Sequence, residues 1–183
     1  MDYLFKIALI GDEYTGKTSL LVRYIENTFS PQYTTTLGAD FLDKTFKKED
    51  LPKISDKLEK DDKITITIWD MAGQQTYRDV AKLYLDGALG IVIVFDVNDH
   101  KTFESLDKWI EVSNEICPNT EIIIVGNKDD LERKVSDEEL EQYRREGYNL
   151  ILSSAKEDTN VDNMFEKITQ KVFIARNESE EED

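Results

Sequence analysis

The sequence predicts an α/β fold, a six-stranded and mostly parallel sheet with five helices on its two faces. Three observations carry this. Short β-type apolar runs alternate with helix-type patterns from one end of the chain to the other. The run Gly90-Ile91-Val92-Ile93-Val94-Phe95-Asp96 is almost continuously apolar, as a strand buried on both faces must be. One pair of strands has no helix between its members, which places a single hairpin in an otherwise crossover-connected sheet.

Residues 4–11 read as the first strand, and residues 17–27 as a helix with Leu20, Leu21 and Tyr24 on one face. Residues 41–46 and 63–70 read as the hairpin strands; Thr65, Ile66, Thr67 and Ile68 alternate with the period of a half-buried strand. Residues 90–96 form the central strand, 102–116 a helix and 121–126 another buried strand. Ser136 and Glu139 make a capping box, each side chain meeting the other's free backbone N–H, and open a helix that ends near residue 146. Residues 149–153 are the last strand and 161–176 the last helix, giving the order β-α-β-β-α-β-α-β-α-β-α.

Residues 47–63 do not suit a tight hairpin. Twelve of these seventeen residues are charged, and Pro52 lies among them. Either the two strands extend outward here or the segment is an irregular loop; a solvated insertion without function also accounts for it.

A chain of 183 residues suits one domain, assigned to residues 1–176, with residues 177–183 as an acidic tail expected to be disordered. The formal charge is 23 − 39 = −16, which disfavours nucleic acid and anionic lipid as partners. Cys117 is the only cysteine, so no internal disulfide forms and a reducing cytosol is expected. Eighteen consecutive apolar residues occur nowhere, the opening residues do not form a signal peptide, and position 2 is not glycine. Without a cysteine after Cys117, no prenyl anchor is expected, and a soluble cytoplasmic protein that reaches membranes only through a partner is the expectation. His100, the one histidine, reads as a surface loop residue, and the lack of a Cys/His cluster gives no reason to expect zinc.

Gly11-Asp12-Glu13-Tyr14-Thr15-Gly16-Lys17-Thr18 fits G-x-x-x-x-G-K-[ST] between a predicted strand and a predicted helix. The glycines let backbone N–H groups curl inward on phosphate oxygens, and the helix N-terminus adds partial positive charge. Lys17 would bridge β- and γ-phosphates, and Thr18 would offer its hydroxyl to Mg²⁺. This loop alone leaves kinases, ATPases and GTPases open. Asn127-Lys128-Asp129-Asp130 decides among them, because it follows an apolar strand at its carboxyl end. The Asp130 carboxylate can accept from guanine N1–H and the 2-amino group, a donor pair adenine lacks. The stem of Lys128 can cover a ring face, and Ser154-Ala155-Lys156 supplies a backbone N–H for guanine O6.

With these motifs the chain resembles the Ras superfamily of small GTPases, a P-loop NTPase fold, from about residue 4 to residue 176. Asp70-Met71-Ala72-Gly73-Gln74 matches the second switch motif D-x-x-G-Q. The resemblance implies that Asp70, Thr18 and Thr36 hold Mg²⁺, that Gly73 meets the γ-phosphate and that Gln74 orients the attacking water, with Lys17 and Thr36 also catalytic. It implies phosphate-loop contacts from Glu13 through Tyr14, Thr15, Gly16, Lys17 and Thr18 to Ser19, with Phe29 edge-on to the guanine and Tyr33 over the γ-phosphate. Five stretches are similar to the Rab branch: Leu37-Gly38-Ala39-Asp40-Phe41, Thr65-Ile66-Thr67-Ile68-Trp69, Thr76-Tyr77-Arg78, Tyr84-Leu85-Asp86-Gly87-Ala88 and Val94-Phe95-Asp96-Val97-Asn98. The Rab resemblance makes Phe41, Trp69 and Tyr84 an effector-binding triad, although three core aromatics would read the same way.

The implied function is a monomeric GTP/GDP switch with Mg²⁺ as cofactor and an exchange factor, a GTPase-activating protein and effectors as partners. Hydrolysis is expected to be slow, because Glu13 brings bulk and negative charge where Ras and Rab members carry a small residue. The alternative is a GTP-dependent binding module with negligible hydrolysis: Gln74 and Thr36 favour the enzyme, Glu13 the module.

Overall fold

In a computed structural model, which describes residues 1–30, 39–71 and 78–181, the chain runs β1 (Asp2–Ile10), α1 (Lys17–Glu26), β2 (Ala39–Lys47), β3 (Lys63–Met71), α2 (Arg78–Leu85), β4 (Gly90–Asp96), α3 (His100–Glu104), α4 (Leu106–Ile116), β5 (Glu121–Asn127), α5 (Asp137–Arg145), β6 (Asn149–Leu152) and α6 (Val161–Glu181). The six strands form one sheet in the order β2-β3-β1-β4-β5-β6. Only β2 runs antiparallel, against β3; the other neighbouring pairs are parallel. Strand order reverses between β1 and β4, and in sheets of this class the crevice for ligands lies beyond the carboxyl ends of the strands at such a switch point.

The period-two alternation splits the core in two. Phe5, Ile7, Leu9, Ile66, Val92 and Val125 face α1 and α6, where Tyr24 stacks on Phe165 with ring centroids 4.2 Å apart. Ala8, Ile10, Ile91, Ile93, Phe95 and Ile124 face the other way, toward α2, α4 and α5. The capping box is present: Ser136 N–H donates to Glu139 Oε2 at 2.8 Å, and Glu139 N–H to Ser136 Oγ at 3.3 Å.

Several expectations are corrected. Residues 47–63 are neither strand extensions nor a solvated loop. They fold into two short 3-10 turns, Lys48–Asp50 and Ser55–Lys57, and bury Leu51, Ile54 and Leu58 in the core on the α1/α6 side (0%, 1% and 4% exposed). Burying three such side chains contributes on the order of 5 kcal/mol and offsets part of the entropy lost in ordering a segment otherwise dominated by charged side chains. The hairpin strands are longer than expected, pairing from Ala39 with Met71 to Lys47 with Lys63.

The expected helix over 102–116 starts earlier and is interrupted at Ser105, giving α3 and α4. His100 is therefore not in a loop. It is the first residue of α3, with Nε2 2.7 Å from Glu139 Oε1 and Nδ1 3.3 Å from Glu104, which ties α3 to α5. The Glu139 carboxylate holds the His100 imidazole above its ordinary pKa. α6 runs from Val161 to Glu181, and near its end Asn177 Nδ2 donates to Phe173 O at 2.9 Å; glutamate is a good helix former. Among the described residues, no helix is long and apolar enough to cross a membrane.

Candidate nucleotide site

The loop after β1 lies in the crevice at the strand-order reversal, pressed onto the ends of β4 and β5. Gly11 has φ +138°, and a Cβ there would stand 2.1 Å from Val94 O. Gly16 has φ +89°, and a Cβ there would stand 2.4 Å from Asn127 Nδ2. Both positions exclude a side chain by space and by conformation. Tyr14 is left-handed too, with φ 65°. Gly16 caps α1 without a side-chain acceptor, and the helix N-terminus turns its partial positive charge toward the loop.

Lys17, buried at the start of α1, reaches back into the loop. Its ammonium donates to Gly11 O at 3.0 Å and to Asp12 O at 2.7 Å. Burial lowers its pKa to about 8, against the opposing pull of Asp70, Asp12 and Glu13. Asp12 is braced from α4, whose Trp109 Nε1 donates to Asp12 Oδ1 at 2.8 Å.

At the end of β3, the wholly buried Asp70 accepts a 2.5 Å hydrogen bond from Thr18 Oγ1. A carboxylate and a hydroxyl, two hard oxygen donors side by side next to the Lys17 ammonium, fit Mg²⁺. Thr36, Tyr33, Gly73 and Gln74 lie outside the described residues.

The base motif meets the phosphate loop directly. Asn127, at the end of β5, donates from Nδ2 to Thr15 O at 2.9 Å and accepts from Ala155 N–H on Oδ1 at 3.2 Å. Lys128 Nζ bridges Tyr14 O and Asp96 Oδ2, each at 2.6 Å. Asp130 accepts from Ser154 Oγ at 2.6 Å and lies 3.3 Å from Lys156 Nζ. Burial would raise the Asp130 carboxyl, but the bonds from Ser154 and Lys156 outweigh it and hold the pKa below the usual range. Asp130 is thus an anion ready to accept.

The structure brings together Glu13 to Thr18, Asp70, Asn127, Lys128, Asp130 and Ser154 to Lys156. Phe29 packs on the core edge just beyond α1. Phe41 and Trp69 are cross-strand partners with ring centroids 5.8 Å apart, and Tyr84 lies 6.0 Å from Trp69. Phe41 is 66% exposed, whereas Trp69 and Tyr84 are half-buried and Tyr84 packs against the core on the α2/α4/α5 side. Lys6 Nζ sits 4.2 Å over the Trp69 ring and donates to Asp86 O at 2.7 Å.

Three functional neighbours were not singled out from the sequence: Asp96, Trp109 and Arg23. Asp96 carried a signal, an acid at the carboxyl end of a buried strand. Trp109 and Arg23 carried none, because each acts on a loop far away in the chain.

The Ras family model matches residues 6–174. The chain is 40% identical to the Ras-related protein SEC4 of Saccharomyces cerevisiae, over 90% of this chain and 73% of that one. It is 35% identical to the Ras-related protein Rab-13 of Canis lupus familiaris, over 94% of this chain and 82% of the relative. It is also 35% identical to the GTP-binding protein Rab-3D of Rattus norvegicus, over 97% and 78%.

Proposed function

The chain belongs to the Ras family, with Rab proteins among its relatives, and on that premise we propose that it is a slow GTPase switch whose site is the crevice at the β1/β4 reversal. The observation that carries the reading is Asn127, whose amide joins the phosphate loop through Thr15 O to the base loop through Ala155 N–H. One nucleotide can span both ends only if they are held at a fixed distance, and this side chain fixes it.

In this reading residues 1–176 form the nucleotide-binding domain. Asp130 takes the N1–H and 2-amino edge of guanine, and the stem of Lys128 covers the ring. Lys17 leaves the Gly11 and Asp12 carbonyls for phosphate oxygens, and the backbone N–H groups of residues 13–19 complete the cradle. Thr18, Asp70 and Thr36 would hold Mg²⁺, which supplies charge neutralisation at the β- and γ-phosphates. Gln74 orients water for in-line attack, and Gly73 and Thr36 read the γ-phosphate. Phe41, Trp69 and Tyr84 receive effectors, and a GTPase-activating protein and an exchange factor complete the cycle. With a net charge of −16, contact with an anionic membrane would come through a partner protein.

A second reading, a GTP-dependent binding module with negligible hydrolysis, is favoured by Glu13, whose charge acts on Lys17 inside the loop. Competition of GTP against ATP, followed by multiple-turnover GTP hydrolysis with and without cell lysate, tests both. Guanine preference with hydrolysis that lysate accelerates supports the switch enzyme. Preference without turnover in either condition supports the module. Equal GTP and ATP affinity sinks the base site.

A further inference from the structure

Arg23 stands in the last turn of α1, and its guanidinium reaches the loop after β6. Nε donates to Ala155 O at 2.8 Å and Nη2 to Lys156 O at 3.1 Å, while Nη1 donates to Asn27 O at 3.1 Å. One rigid, planar fork thus holds two successive peptide units of the base loop.

In a trans peptide the C=O and the following N–H point in opposite directions. Drawing Ala155 O toward α1 therefore turns the Lys156 N–H away from α1. Drawing Lys156 O the same way turns the Glu157 N–H away as well. The second consequence is visible: Glu157 N–H donates to Ser154 Oγ at 3.0 Å, and that hydroxyl donates in turn to Asp130 Oδ1 at 2.6 Å. The fork thus aims the loop's N–H groups toward the side on which Asp130 waits. The same helix starts at Lys17, so the element that carries the phosphate cation also sets the base loop.

From this geometry we infer that Arg23 is a positioning residue for guanine recognition, aiming the Lys156 N–H at O6 while Asp130 reads the opposite part of the base edge. The inference rests on the base-site reading above, and its rival is an Arg23 that merely staples the loop to the helix.

Three diphosphates separate these in the full chain with Mg²⁺ present. GDP has every group, IDP lacks only the 2-amino group, and 6-thio-GDP replaces O6 with a poor sulfur acceptor. Arg23→Met should weaken GDP and IDP alike, on the order of tenfold each, and 6-thio-GDP by no more than about twofold. The GDP-to-IDP preference stays, and the GDP-to-6-thio-GDP preference collapses. Arg23→Lys, which keeps the charge and one donor, should fall between, and it serves as the reporter if Arg23→Met melts early. Equal loss on all three nucleotides, or no loss, overturns the inference and leaves the base site standing. If the unsubstituted chain does not prefer GDP over IDP, the base-site reading fails first and the inference goes with it.

Discussion

Gly16 and Asn127 touch: a single added carbon on Gly16 would lie 2.4 Å from the Asn127 amide nitrogen, which itself holds Thr15 O at 2.9 Å. The phosphate loop and the base strand are packed against each other with no room for a methyl group. Gly16→Ala should break this contact and also place a Cβ at φ +89°, a strain of about 1–2 kcal/mol. GDP dissociation, followed with a fluorescent nucleotide, should speed up at least about tenfold. An unchanged rate would mean the two loops are not coupled through this pair.

Lys17 gives a proton signature. Its ammonium has a pKa of about 8, lowered chiefly by burial, and a bound phosphate would raise it. At pH 8 to 9, the free site is partly neutral and the occupied site charged, so GDP binding takes up a fraction of a proton. Affinity falls as pH rises through this window. Calorimetry in two buffers of different ionisation enthalpy should reveal the uptake in the natural chain and its loss in Lys17→Arg, whose guanidinium stays charged. Absence of uptake in the natural chain contradicts the reading.

Glu13 is expected to slow hydrolysis. At ~5 Å and an effective dielectric of ~20, each unit-charge repulsion with the γ-phosphate is roughly 3 kcal/mol before screening, an upper bound that Lys17 offsets. Intrinsic hydrolysis should be on the order of 10⁻⁴ s⁻¹ or slower, below the Ras rate that is the familiar worked case. In single-turnover assays, Glu13→Gly should raise the rate several-fold and Gln74→Leu lower it. A Glu13→Gly rate equal to or below the natural one defeats the argument.

The insertion is a stability element. Leu51→Ala and Ile54→Ala each remove a fully packed side chain and should cost about 2–5 kcal/mol in urea unfolding. The exposed Lys57→Ala should change stability by less than about 0.5 kcal/mol. Losses below about 1 kcal/mol for both apolar variants would mean the segment does not belong to the core.

What the sequence revealed follows from the range of each interaction. Asn127 and Asp130 were legible because a buried strand leads straight into them, and the strand's end is where this class of sheet binds ligands. The phosphate loop was legible because its glycines and Lys17 act within a few residues of each other. Arg23 and Trp109 were not, since their partners Ala155 and Asp12 are distant in sequence and meet only once the sheet has formed. Leu51, Ile54 and Leu58 recur at helix-like spacing, yet the charged residues around them masked the pattern. The break at Ser105 has no glycine or proline to announce it.

The seated insertion has a mechanical consequence. The β2–β3 hairpin is clamped at its far end by Leu51, Ile54 and Leu58, while its near end carries Phe41, Trp69 and Asp70. A two-residue slip of the hairpin along β1 would carry those anchors ~7 Å out of their seats. The hairpin is therefore a fixed post and not a sliding bolt. On the proposed reading, a nucleotide-dependent change would be expected at the post's near end, beside Asp70, with the register against β1 unchanged.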